Sequence, residues 1–213
     1  VVIAIEGTFQ GGSMGEVSGA KMAAALELAA EDNRKGIPTQ AVLCLETGGV
    51  RLQEANLGLA AIADIHAAIV DLRRYVPVIG IVAGTVGCFG GMSIAAALCS
   101  YLIVTREARL GLNGPQVIEQ EAGIDEYDSR NRPFIWSLTG GEARERNGFV
   151  DKLVDDSLAA VKAATVECME KGKPASLRNE RYDEFLTRLN AFDTRQQADA
   201  KLTAELFAKG NRS

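Results

Sequence analysis

Gly87-Cys88-Phe89-Gly90-Gly91-Met92-Ser93 is the stretch on which the fold turns. It follows the apolar run Pro77-Val78-Ile79-Gly80-Ile81-Val82-Ala83 and leads into the small-residue segment Ile94-Ala95-Ala96-Ala97-Leu98. A short apolar run, then glycines, then a helical segment reads as buried strand, tight turn and helix. Glycines ahead of a helix leave backbone N–H groups unobstructed, and the helix N-terminus adds partial positive charge. The stretch is therefore a candidate anion site.

Two earlier runs have a similar sequel. Val1 to Ile5 leads to Gly11-Gly12-Ser13-Met14-Gly15, and Ala41 to Leu45 leads to Thr47-Gly48-Gly49-Val50-Arg51. Between them the spacing predicts a helix to about Asn33, with Met22, Ala25, Leu26 and Ala29 on one face. A longer helix is predicted from about Gln53 to Arg74, striped by Leu59, Ile62, Ile65, Ile69 and Leu72. Beyond the central stretch, Tyr101 to Thr105 reads as a fourth strand and Arg109 to Leu112 as a short fifth. Pro115 opens a helix in a favoured first-turn position. Residues 123–132 read as a charged exposed loop, a helix begins near Gly140, and Phe149 to Val154 is a last strand. From Ser157 onward the pattern is helical and polar. Strands alternating with helices indicate an α/β fold, and continuous apolar strands indicate a sheet covered on both faces.

The 213 residues include 47% hydrophobic and 24% charged side chains, which fits one compact domain with a sizeable core. Acidic residues outnumber basic ones 28 to 23, with no lysine or arginine cluster, so nucleic acid is an unsuitable partner. No apolar run is read as approaching the roughly 20 residues that cross a bilayer, and no signal-peptide pattern is seen. Cys44, Cys88, Cys99 and Cys168 are scattered without metal-ligand spacing, as buried reduced thiols of a cytoplasmic protein would be. The chain starts within a strand and without methionine, so an upstream part is expected.

The glycine turns after the second and third strands place two N–H-rich elbows at corresponding ends of neighbouring strands. Two facing donors suit an oxyanion better than a diphosphate. Neither elbow has the lysine and Ser/Thr of a P-loop, and G-x-G-x-x-G spacing is absent. The Gly11 to Gly15 segment reads as a loop covering the site, and Lys21 as a solvated helix residue. His66, the only histidine, falls on the apolar side of its helix and reads as a core or interface residue. Cys88 reads as packing, and Ser13 and Ser93 lack a nearby base that would make them nucleophiles. Arg51 suits either a carboxylate partner or a loop cap.

Several motifs in order resemble the acyl-CoA carboxyltransferases of the crotonase superfamily. They are Gly11-Gly-Ser-Met-Gly15 with Val17-Ser-Gly-Ala-Lys21, Gly48-Gly-Val-Arg-Leu-Gln-Glu54, Gly90-Gly91, and Gly114-Pro-Gln-Val-Ile-Glu-Gln120. With Ile118-Glu-Gln-Glu-Ala-Gly123 and Arg132-Pro-Phe-Ile-Trp-Ser-Leu-Thr-Gly-Gly141, the chain is most similar to beta subunits of biotin-independent malonate decarboxylases. The resemblance implies a crotonase-like spiral of ββα repeats over residues 1–155, lacking an N-terminal part, with C-terminal helices over 156–213 packing on the core or a partner. It implies a cytoplasmic carboxy-lyase that pairs with a homologous gamma subunit. The substrate would be a malonyl thioester on the CoA-like arm of an acyl-carrier subunit. No biotin, metal or covalent cofactor is expected on this chain, nor contact with a membrane, and the isolated chain could self-associate. The alternatives are the biotin-dependent carboxyltransferase beta subunit of acetyl-CoA carboxylase, whose bacterial forms carry a zinc ribbon upstream, and a non-catalytic scaffold.

By the same resemblance, the oxyanion donors fall at Val50, with Gly49 beside it, and at Gly90 or Gly91. Hydratases of the superfamily carry glutamates where this chain has Ser93 and, nearby, Gln116. A decarboxylase makes its carbanion by losing CO2 and needs no such base. Arg51, Ser93 and Gln116 are thus expected to bind or orient substrate or a water.

Overall fold

The computed structural model describes residues 1–196 and 199–207. Its sheet has five strands, β1 (Val2–Ala4), β2 (Ala41–Cys44), β3 (Val78–Val82), β4 (Tyr101–Thr105) and β5 (Lys152–Val154). All neighbouring pairs are parallel, and spatial order follows chain order from β1 to β5. A parallel sheet needs a crossover between strands, and crossovers of one hand in sequential order put every connecting helix on the same face. The helices α1 (Glu16–Arg34), α2 (Ala55–Leu72) and α3 (Gly91–Leu98) are those connections.

The larger core lies between these helices and the sheet, with Leu26, Leu43, Ile65, Ile69, Met92 and Leu102 fully buried. Small residues set its spacing. A β-carbon on Gly19 of α1 would lie 2.5 Å from the Ala61 Cβ of α2, so the two helices meet backbone to backbone. Val42, Ile79, Ile81 and Ile103 point to the other face, where Ala164 and Cys168 of α7 (Leu158–Glu170) cover them. Alternate residues of the same strands thus feed two cores, which is why the strands read as continuous apolar runs.

Between β4 and β5 lie α4 (Pro115–Ala122), α5 (Arg132–Thr139) and α6 (Gly141–Arg146). The predicted strand over Arg109 to Leu112 forms only single bridges, Cys88 to Leu110 and Arg109 to Gly140. α5 was not foreseen by periodicity; Asn131 caps it, its side chain accepting from the Phe134 N–H at 3.2 Å. Further on come α8 (Tyr182–Asn190) and α9 (Ala200–Phe207). Phe149, Phe185 and Phe207 hold them to the core, each ring centroid 5.1–6.1 Å from the next.

Leu52–Leu72 corrects one expectation, because this 21-residue stretch is long and apolar enough by length and composition to cross a membrane. Here Ile62, Ile65, Ile69 and Leu72 are buried in the larger core, the position of a core helix in a globular domain.

Candidate active site

β1 to β4 are each followed by an elbow, and these elbows form a second layer of parallel bridges. Met14 bridges Val50, Thr47 bridges Cys88, and Cys88 bridges Leu110. The elbow after β2 is drawn to the one after β3 because the Thr47 N–H donates to Gly87 O (2.7 Å) and the Phe89 N–H to Thr47 O (3.0 Å). At the crest the chains touch through glycines. A β-carbon on Gly90 would lie 3.2 Å from Gly49 Cα and 3.8 Å from Val50 N, and one on Gly49 would lie 3.1 Å from Phe89 O. Gly49 has φ 105°, and Gly90 has φ 61° and ψ −148°, a region essentially reserved for glycine.

Backbone accounting shows which donors remain. In the first elbow the Gly48 N–H donates to Gly11 O (2.8 Å), that of Gly49 to Thr47 Oγ1 (3.1 Å), and that of Arg51 to Met14 O (2.8 Å). The Val50 N–H finds no acceptor among the described residues. In the second elbow the Cys88 N–H donates to Arg109 O (2.9 Å), and that of Gly90 to Leu112 O (2.7 Å). The N–H groups of Gly91 and Met92, the first two residues of α3, find no acceptor among the described residues. They are the unsatisfied donors that every helix start presents. Sequence left Gly90 and Gly91 as equals; hydrogen bonding separates them, because the Gly90 donor is spent.

The other expected residues are placed as follows. Arg51 donates from Nε to Ser13 Oγ (3.2 Å), from one terminal nitrogen to Ser13 O (2.9 Å), and from the other to Glu54 Oε1 (2.7 Å). Its guanidinium carbon sits 5.7 Å from the Phe9 ring centroid. Arg51 therefore caps the loop and meets a carboxylate of its own chain. Glu54 also accepts from the Glu16 N–H at 2.7 Å, and that bond, then Arg51, holds its carboxyl below the ordinary range. The Ser93 hydroxyl donates to Gly90 O at 2.8 Å. Gln116 is exposed at the start of α4 and makes no hydrogen bond to a described residue. Elbows, Arg51 and Ser93 are thus joined by contacts, and Gln116 is not.

Three further residues of this site have roles that the sequence reading missed. Thr47 is fully buried and caps the first elbow from within, a role to which its place just ahead of the glycine pair pointed. Leu112 takes the Gly90 donor with its carbonyl, which its side chain does not betray. His66 bonds through Nε2 to Gly91 O at 2.8 Å. A carbonyl only accepts, so Nε2 carries the proton, and the ring ties α2 to the first turn of α3. Cys88 is fully buried, and burial pushes its thiol far up, which leaves it a neutral packing group.

Beside the first elbow a cavity of about 650 Å³ opens between β1, the 6–15 loop and α1, lined by Ile3, Ile5, Phe9, Met14, Lys21 and Arg51 among others. Among the described residues no group of three or more His, Cys, Asp or Glu is placed to hold a metal ion.

Residues 1–180 match the carboxyl transferase domain family. The chain is 41% identical over 180 residues to a malonyl-S-ACP:biotin-protein carboxyltransferase of Malonomonas rubra, an alignment that takes in 80% of this chain and 57% of that protein. The chain thus spans little more than half the length of that relative. Among solved structures, a Pseudomonas malonate decarboxylase hetero-tetramer in complex with malonate contains a chain 66% identical, with a TM-score of 0.94, covering 97% of this chain and 75% of its own. The transcarboxylase 12S hexamer, with methylmalonyl-coenzyme A and methylmalonic acid bound, gives 31% identity and a TM-score of 0.65 over 78% of this chain and 30% of that one. The parallel sheet, the stacked elbows and these matches agree: the chain belongs to the carboxyl transferase domain family of crotonase-like fold, and subunits of malonate decarboxylase are among its close relatives.

Proposed function

We propose that this chain is the beta-type subunit of a malonate decarboxylase and supplies the oxyanion hole in which a malonyl thioester loses CO2. The observation that carries this reading is the pair of unspent backbone donors, Val50 N–H and Gly91 N–H, on elbows whose glycines touch. The bond from the malonyl methylene to its carboxylate breaks, CO2 leaves, and the electron pair moves into the thioester carbonyl to give an enolate. The two N–H groups and the α3 N-terminus stabilise charge on that oxygen. Each donor of this kind is worth about 10²–10³ in rate. Protonation of the enolate carbon then yields the acetyl thioester.

The reading assigns Gly49, Val50, Gly90 and Gly91 to the catalytic elbows, Gly90 as the turn that orients its neighbour's donor. Arg51 acts by fixing the first elbow, and Gln116 remains a candidate for substrate contact from α4. Residues 1–155 make up the catalytic half-site and 156–213 the helices that clasp it, of which residues 197–198 and 208–213 lie outside the described residues. The apolar cavity beside Arg51, with Lys21 on its wall, suits the CoA-like arm of an acyl-carrier subunit. The partners are a homologous gamma subunit and that carrier, and the compartment is the cytoplasm. The hetero-tetrameric relative supports the pairing.

The Malonomonas relative, named for transfer to a biotin protein, favours a second reading with the same first step. There the CO2 would be captured by biotin. Copurifying the chain with its partner subunits and following CO2 release from a malonyl thioester separates the two. Release without any biotin protein supports decarboxylation; carboxyl transfer that requires biotin overturns it.

A further inference from the structure

We propose that Ser93 is a positioning residue that strengthens the Gly91 donor through the peptide group, without touching substrate. The inference rests on the oxyanion reading above and deepens it. The Ser93 hydroxyl donates to Gly90 O at 2.8 Å, and the Ser93 N–H donates to the same oxygen at 3.0 Å. That oxygen belongs to the peptide whose nitrogen is the unspent Gly91 N–H.

A trans peptide is planar, with its C=O and N–H pointing in opposite directions. A hydrogen bond to the oxygen draws electron density toward it and makes the N–H opposite a better donor, by about 10–30% per bond. Opposed directions also set the geography. A hydroxyl that sits on the Gly90 oxygen lies behind the peptide, on the side away from any anion that the Gly91 N–H binds. The cavity on the Ser93 side agrees. It measures about 190 Å³, is lined by Ser93, Leu110, Leu112, Arg144 and Phe149, and lies against α6 rather than against the first elbow.

Gly91 is held from its other side as well. His66 donates to Gly91 O at 2.8 Å and Gly90 N–H to Leu112 O at 2.7 Å, so the two peptides flanking the donor are each fixed at an oxygen or a nitrogen. Among these contacts the Ser93 hydroxyl is the one that can be removed by deleting a single oxygen. A serine in the first turn of a helix commonly bonds a carbonyl three residues back. The test therefore needs readouts that such local capping alone would not move.

The experiment uses the chain in complex with its partner subunits and malonyl-CoA as substrate. A donor worth about 10²–10³, weakened by 10–30%, loses a factor of about 2 to 8. Ser93→Ala is expected to lower kcat by that factor at unchanged KM. In the same complex, labelled with ¹⁵N-glycine, the Gly91 amide nitrogen is expected to move upfield. Ser93→Thr keeps the hydroxyl beside a cavity that residue 93 already lines; it is expected to restore both readouts. Unchanged kcat in Ser93→Ala, a raised KM at constant kcat, or failure of threonine to restore the rate each overturns the inference. Gly90→Ala is measured in parallel. If it is inactive while Ser93→Ala is silent, only the role of Ser93 falls. If Gly90→Ala turns over normally, the oxyanion reading falls, and this inference with it.

Discussion

The two elbows offer the same group, a backbone N–H, but reach it by different constructions. The one after β2 has no helix directly behind its donor. Val50 lies in a single bridge to Met14, with Thr47, Gly11, Met14 and Arg51 holding the chain on either side of it. The one after β3 runs straight into α3, so Gly91 is a first-turn donor backed by the helix dipole. The first donor is positioned mostly by contacts from other segments; the second is positioned mostly by its own helix, with the Leu112 carbonyl and the His66 ring as outside contacts. Distant side-chain changes should therefore disturb Val50 more than Gly91, and only local backbone changes should disturb both.

The harshest test of that contrast is local. Gly90→Ala forces a side chain onto φ 61° and brings its Cβ to 3.2 Å from Gly49 Cα, so it strains both elbows together. We expect kcat for CO2 release to fall about 10²–10³-fold in a complex that still assembles, with a strain cost of about 1–3 kcal/mol visible in thermal melting. Thr47→Val should act on the first elbow alone. It keeps the shape, removes the acceptor of the buried Gly49 N–H, and should cost about 1–3 kcal/mol of stability in denaturant titration. Arg51→Ala releases the Ser13 loop and should cost less, about 1 kcal/mol, with CO2 release falling while the Gly91 amide resonance stays in place.

The smallest effect is one of pH. Glu54 accepts from the Glu16 N–H and from Arg51, and its carboxyl is held below the ordinary value of 4.5. A lowered carboxyl stabilises the folded chain above its unfolded pKa, and the contribution is lost as pH falls through the folded value. Melting curves of Glu54→Gln and the unmodified chain should therefore differ at neutral pH and converge only as the pH falls below the ordinary carboxylate range. A gap that persists into acid would mean that Glu54 acts by shape and not by charge.

The contrast between the elbows also marks what the sequence made legible. The strand, glycine turn and helix around Gly90 follow from local chemistry, as do the α/β sheet covered on both faces and the two glycine elbows. The choice between Gly90 and Gly91 depends on Leu112 O, a backbone atom more than 20 residues away whose side chain carries no trace of its use. Arg51 offered two roles, and that it fills both depends on where Ser13 and Glu54 fold. α5 was hidden because its start signal, Asn131, sits within a charged stretch that reads as loop. Ser93 was recognised as a departure from a carboxylate, but its direction, toward Gly90 O, is a matter of geometry alone.

The central claim is that two particular N–H groups hold the enolate oxygen. Exchanging a residue for its α-hydroxy acid replaces one N–H by an ester oxygen and leaves the side chain alone. The exchange at Gly91, and separately at Val50, should lower kcat for CO2 release about 10²–10³-fold with subunit assembly intact. The same exchange at Gly90, which removes only the bond to Leu112, should cost far less. Turnover within twofold of the unmodified complex after exchange at Gly91 would contradict the account.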